Sequence, residues 1–329
     1  MRWISPGRLV VVMLAVLVVS VQPLMPGRAD AARVSEREFG NAAGSRQYFL
    51  HVPPGDPAGK PLMIYLHGCT DPWAQLADTG FSLTEIADEL GFVLAYPIQP
   101  ESASERYCWN WFDPANQQRG QGEPSIIADL ASSLAAEFGL DRSRVYVGGY
   151  SAGGAMSTVM AATYPDLFAA IAPMAGAPYG LNPNTFGADL SGVSIIEAMG
   201  PRARPIPAFF LQDLADQTSL YPIGRTNLLQ WLAANRRAGA PDLPETPTAI
   251  TATATPVPTT VEHYRTATRE LAQFHTPIGP DHIGGGLLMQ SRHGLPLQRA
   301  MMNFLLAHHI PPTHHPQPHP VRGCVARAR

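Results

Sequence analysis

The chain has 329 residues, 45% of them hydrophobic and 15% charged, with a net charge of −3. That is enough to bury a sizeable core in one large domain or two small ones. Lys and Arg form no patch or stripe, so the charge pattern excludes the basic footprint of a nucleic-acid partner.

Residues 1–31 read as an export signal. Arg2 and Arg8 supply the positive start, Leu9 to Val21 is nearly all Val, Leu, Met and Ala, and Ala29-x-Ala31 gives a cleavage pattern. The apolar run is shorter than the about 20 residues a spanning helix needs. No stable membrane span is expected after cleavage, and the mature protein is expected to be secreted or to reside in the cell envelope. An uncleaved anchor is the alternative.

Residues 46–52 are expected to form a strand, stopped by Pro53 and Pro54. "PLMIYLHG" (61–68) reads as a buried strand feeding a loop, and "SLTEIADELG" (82–91) places Leu83, Ile86, Ala87 and Leu90 at helical spacing. "FVLAYP" (92–97) is the next strand, and 122–139 carries a helical face of Ile126, Ile127, Leu130, Leu134 and Phe138. Strands are expected at 144–149, 167–176, 206–213 and 270–276, with helices at 152–165, 221–239 and 295–309. Strands apolar throughout, alternating with helices, predict an α/β fold: a mostly parallel, doubly wound sheet with helices on both faces.

Residues 32–309 are therefore expected to form one catalytic domain. Two segments break its rhythm. Residues 240–260 are rich in Thr, Ala and Pro and read as a long mobile loop, although "TAITATAT" has strand character. Residues 310–329 read as a disordered Pro/His tail. With His308 and His309 just before it, the tail region holds His314, His315 and His319, but the prolines and the lack of acids speak against metal binding. Neither a metal nor another cofactor is expected. Cys324 has no assigned partner.

Gly149-Tyr150-Ser151-Ala152-Gly153 is G-x-S-x-G between an expected strand and an expected helix. A nucleophile on so tight a turn needs glycine two residues to either side, because larger side chains clash. The turn lifts the Ser151 hydroxyl clear of the sheet and aims a helix N-terminus at the same place. Serine needs a base, usually His held by a carboxylate, and on such a sheet the chain order is Ser, acid, His.

Asp213 and Asp216 both follow the 206–213 strand. Asp216, in the loop beyond the strand end, is the expected acid; Asp213 is expected to cap the turn. His282, in the Gly/Pro-rich "TPIGPDHIGGG", is the expected base. The backbone N–H groups of Ala152 and Cys69 are the expected oxyanion donors. Trp109 and Trp111 are candidates for a substrate wall, with core packing as the alternative. Cys69 and Cys108 are the candidate disulfide pair, with two unpaired buried thiols as the alternative that spacing alone leaves open.

"LHGCT" (66–70), "YCWNWF" (107–112), "GEPSIIADL" (122–130) and "GGYSAGGAMSTVMAATYPDLFAAIAPMAGAPYG" (148–180) resemble the polyhydroxybutyrate depolymerase family of esterases, which overlaps with feruloyl and acetylxylan esterases. The resemblance is strong over about residues 45–180 and weaker over 205–305. It implies an α/β-hydrolase fold, a Ser-Asp-His triad without metal, and a disulfide between Cys69 and Cys108 beside the oxyanion hole. Two places depart from the family's pattern. Its acid loop usually reads H-G-x-x-D, where this chain has Gln212 and Asp213 before Asp216, and its histidine motif carries a Trp that is missing here.

The expected protein is a secreted serine esterase acting on 3-hydroxyalkanoate oligomers. A feruloyl or acetylxylan esterase is the enzymatic alternative. A secreted binding protein that keeps the scaffold without catalysis is the alternative of another class.

Overall fold

A ten-stranded sheet organises the chain, in the order β1-β2-β4-β3-β5-β6-β7-β10-β9-β8. The computed structural model describes residues 33–69, 82–181, 187–289 and 291–312. The expected signal, and the tail from 313 with His314, His315, His319 and Cys324, lie outside the described residues.

The strands are β1 (Arg33–Asn41), β2 (Gly44–Val52), β3 (Leu62–Leu66), β4 (Val93–Pro97), β5 (Val145–Tyr150), β6 (Ala170–Met174), β7 (Ala208–Leu211), β8 (Ala249–Thr253), β9 (Thr259–Arg265) and β10 (Glu270–Pro277). From β4 through β3, β5, β6 and β7 to β10 every pairing is parallel. Antiparallel hairpins close both edges: β1 with β2, and β8 with β9, which pairs on to β10. The helices are α1 (Ser82–Leu90), α2 (Gly122–Glu137), α3 (Ala152–Thr163), α4 (Val193–Met199), α5 (Tyr221–Arg237), α6 (His282–Leu288) and α7 (Leu295–Leu306).

Alternation along each strand feeds two cores. Leu62, Ile64 and Leu66 of β3 pack in one core with Ile127 of α2, Met156 of α3 and Trp231 of α5. Met63 and Tyr65 face the other, with Ile86 of α1 and Met301 of α7. β3, β4, β5, β6 and β7 are buried at every position, which is why they read as unbroken apolar runs. Among the described residues no helix is long and apolar enough to cross a membrane.

Two sequence expectations need correction. The segment 240–260 contains β8 and the start of β9, so it is not a loop throughout. β8 is an edge strand with an almost wholly exposed Ala/Thr face, and its β-branched threonines favour extended backbone without leaving an apolar period to read. The chain also remains anchored past the expected start of the tail. Ile310 is fully buried, and its N–H donates to the Ser143 carbonyl at 2.9 Å.

The chain runs from β3 to β4 on one side, then returns to place β5 on the other side of β3. Strand order therefore reverses between β3 and β5. In such sheets the crevice beyond the strand carboxyl ends at this point is where sites form. The loops leaving β3 and β5 carry Cys69 and Ser151.

Candidate active site

Ser151 sits between β5 and α3 with φ 57° and ψ −120°, a backbone conformation that side-chain-bearing residues rarely adopt. The surrounding packing enforces this bend. A Cβ on Gly149 would stand 2.2 Å from the Leu66 carbonyl oxygen, and one on Gly153 would stand 2.0 Å from the same atom. Both contacts are with rigid backbone at the end of β3, so only glycine fits. The Ser151 N–H donates to the Met174 carbonyl at 2.9 Å, which ties the bend to β6.

The turn leaves the Ser151 hydroxyl 2.9 Å from Nε2 of His282. Nδ1 of His282 lies 2.6 Å from Oδ2 of Asp216. The Asp216 side chain is fully shielded from solvent, and the His282 side chain keeps 16% exposure. Oδ1 of Asp216 accepts the N–H groups of Thr218 at 2.8 Å and Ser219 at 2.7 Å, so the turn after β7 holds the carboxylate from behind. With Nδ1–H directed at the carboxylate, Nε2 is left to accept a proton from the serine. The structure thus brings together Ser151, His282 and Asp216, from three separate parts of the chain.

His282 does not sit in a loop, as its Gly/Pro surroundings led us to expect; it opens α6. Asp281 caps that helix, accepting the Gly284 N–H at 2.8 Å. The cap residue was present in the sequence, but three following glycines masked the helix. Asp213 is not a solvated turn cap either. It is fully buried, with its Oδ2 3.0 Å from the Tyr150 hydroxyl.

Cys69 and Cys108 form a disulfide, with Cα atoms 4.2 Å apart. The loop it staples runs against the nucleophile: a Cβ on Gly68 would lie 3.3 Å from Ser151 Cβ. His67, fully buried, fixes the peptide between Gly68 and Cys69. Its Nε2 accepts the Gln99 N–H at 2.9 Å, so Nδ1 carries the proton and donates to the Gly68 carbonyl at 2.7 Å. A trans peptide directs its N–H opposite to its C=O, so this bond sets the direction of the Cys69 N–H. Sequence reading passed over His67, although the "LHG" that contains it was in view. Ala152 is the first residue of α3, where backbone N–H groups have no acceptor within the helix.

The two tryptophans part company. Trp109 is fully buried, with its ring 5.6 Å from that of His67, so it belongs to the core beneath the disulfide loop and not to a substrate wall. Its apolar bulk underpins the very loop that carries His67. Trp111 is half-buried and packs against the small cluster of Ala155, Ala177 and Leu181, of which Ala155 lies one turn into α3 from Ser151.

The Aspergillus awamori acetyl xylan esterase has a similar structure, with a TM-score of 0.63 over 84% of this chain and 100% of that one at 22% identity. The fold is that of the α/β-hydrolases. Residues 46–226, more than half of the chain, match the family described as esterase PHB depolymerase, and the chain belongs to that family. Poly(3-hydroxyalkanoate) depolymerase C of Paucimonas lemoignei is 46% identical over 141 residues, which are 43% of this chain and 34% of that protein. Feruloyl esterase B of Neurospora crassa is 40% identical over 142 residues, 42% of this chain and 46% of that protein. The matched region thus spans between a third and a half of the length of these two relatives.

Proposed function

We propose that the protein is a secreted serine esterase that cleaves carboxylic esters of the 3-hydroxyalkanoate type, as small molecules or oligomers, through an acyl-enzyme. The observation that carries this reading is the continuous chain from Asp216 through His282 to the Ser151 hydroxyl, at 2.6 and 2.9 Å.

In this mechanism Ser151 Oγ attacks the ester carbonyl while His282 Nε2 takes its proton. The N–H groups of Ala152 and Cys69 receive the negative charge that develops on the carbonyl oxygen. One such donor contributes about 3–4 kcal/mol in the transition state. The imidazolium, held by Asp216, gives its proton to the departing alkoxide as the C–O bond breaks, leaving the acyl group on Ser151. Water, deprotonated by His282, then attacks that acyl group. The carboxylic acid leaves, and the proton returns to Ser151.

Exposed apolar residues near the triad residues in the sequence are candidates to meet an aliphatic acyl chain. Ile283 follows His282 and is 73% exposed, and Leu214 precedes Asp216 by two residues and is 55% exposed. Half-buried Trp111 offers a wall near the bend. The Paucimonas relative's name supports the hydroxyalkanoate class. The Neurospora relative motivates a second reading, an ester of a ferulic-type acid. The expected export signal and the disulfide both fit an oxidising compartment outside the cytoplasm.

The test is a substrate panel on the purified protein: p-nitrophenyl butyrate, 3-hydroxybutyrate oligomers, methyl ferulate and acetylated xylan. Turnover highest on the oligomers is the expected result. A preference for methyl ferulate or acetylated xylan replaces the substrate assignment, and no hydrolysis of any of them overturns the enzymatic reading.

A further inference from the structure

A second buried carboxyl stands beside the triad. Asp213, two residues past the end of β7, has its Oδ2 3.0 Å from the Tyr150 hydroxyl, and that hydroxyl is also 3.0 Å from the main-chain carbonyl oxygen of His282. Tyr150 is the residue before Ser151. One phenol therefore joins the nucleophile's strand, the acid's loop and the backbone that carries the imidazole. Its ring also lies 5.2 Å from the His282 ring. Gly285 makes the room: a Cβ there would fall 2.0 Å from Asp213 Oδ2 and 2.4 Å from the Tyr150 hydroxyl. The acid loop, which departs from the family pattern at Asp213, thus meets the glycine run that follows His282.

A phenol has one proton to donate. Burial pushes the Tyr150 hydroxyl far above its ordinary range, so it keeps that proton. When Asp213 is ionised, its carboxylate is the stronger acceptor and takes the phenol's bond, leaving the His282 carbonyl without it. When Asp213 is protonated, it can donate to Tyr150, which then donates to His282. Only the protonated acid satisfies both contacts at once.

Burial pushes the Asp213 carboxyl up to about 7. The charge of Asp216, in the same loop, acts in the same direction. The hydrogen bond from Tyr150 of β5 and the positive form of His282 of α6 act against it. Tyr65 of β3 is the remaining titratable group facing Tyr150.

We propose that protonated Asp213, acting through Tyr150, is a positioning residue that pins the main chain of His282, and that loss of its proton loosens the catalytic imidazole. This rests on the roles proposed above for Ser151 and His282. The consequence is a decline in turnover on the alkaline side that the triad alone does not produce.

Asp213→Asn separates the two. The Asn amide donates to Tyr150 at every pH and so imitates the protonated acid. With p-nitrophenyl butyrate, read at the isosbestic wavelength of the product, the ratio of variant to wild-type kcat is expected to rise ~3- to 10-fold between about pH 6 and about pH 8.5. Tyr150→Phe is expected to lower kcat severalfold at the acid end, with KM nearly unchanged, and to remove the step. Thermal unfolding establishes that each variant is folded, and Asp213→Asn alone suffices if Tyr150→Phe does not fold. A ratio that stays flat or falls with pH overturns the inference, because a purely electrostatic Asp213 would favour wild type at high pH. Retention of turnover by Ser151→Ala would instead remove the reading of the triad itself.

Discussion

His282 Nδ1 and Asp216 Oδ2 are 2.6 Å apart, and the carboxylate is closed off from solvent. An acid so placed fixes both the tautomer and the orientation of the imidazole. Asp216→Asn keeps the shape and removes the charge, and kcat is expected to fall about 10³- to 10⁴-fold. Asp213→Asn, one bond further from the imidazole, is expected to change kcat far less. Steady-state kinetics of the pair check this, and equal losses would remove Asp216 from its role.

The disulfide closes a loop with a sequence separation of 39 residues and holds the peptide that carries the Cys69 N–H beside Ser151. Replacing both cysteines with serine is expected to lower stability by about 2–5 kcal/mol. It is also expected to reduce kcat more than it raises KM, since an oxyanion donor acts in the transition state. Denaturant unfolding and initial rates measure the two effects separately.

Gly153→Ala places a methyl group 2.0 Å from the Leu66 carbonyl oxygen and 2.5 Å from that of His67. Neither backbone atom can give way without moving the end of β3. The variant is expected to lose about 2–4 kcal/mol of stability and most of its turnover. A chemical-denaturation midpoint close to that of wild type would contradict the close approach described for the bend.

Acid should destabilise the fold through His275. Its ring is buried 4.2 Å from that of Phe209, and burial pushes its pKa down to about 3. The unfolded chain takes up that proton near about 6.5. The stabilisation is therefore complete above about pH 6.5 and is lost progressively as pH falls toward 3, by at most about 1.4 kcal/mol per pH unit. His308, pushed down to about 4 by burial, adds to the same slope. His275→Gln keeps a polar group near Gln273 and removes the titration. Its Tm is expected to fall less steeply than that of wild type between about pH 6.5 and about pH 4; parallel curves would contradict the assignment.

The legible parts of the sequence were those dictated by local physics. The glycines around Ser151 announce a backbone bend, the buried strands read as unbroken apolar runs, and the chain order of serine, acid and histidine narrows the partners. β1 was missed, and β8 showed only as the strand character of an Ala/Thr run, because edge strands are solvated and need no continuous apolar face. α6 was missed because Gly284, Gly285 and Gly286 look like a loop, when at least Gly285 is small to admit Asp213 and Tyr150. Trp109 and Trp111 are two residues apart and identical in type, and only packing places one under the loop and the other at its surface. The contact of Asp213 with Tyr150 spans 63 positions and has no local signal at all.

The central claim is that Ser151 is an activated nucleophile. Its most direct test is covalent labelling of the folded protein with a fluorophosphonate, with the adduct located by peptide mass spectrometry. We expect one adduct per chain, on Ser151, and its loss in both Ser151→Ala and His282→Ala. Folded protein that takes no label at Ser151, or takes it equally well without His282, would contradict the account.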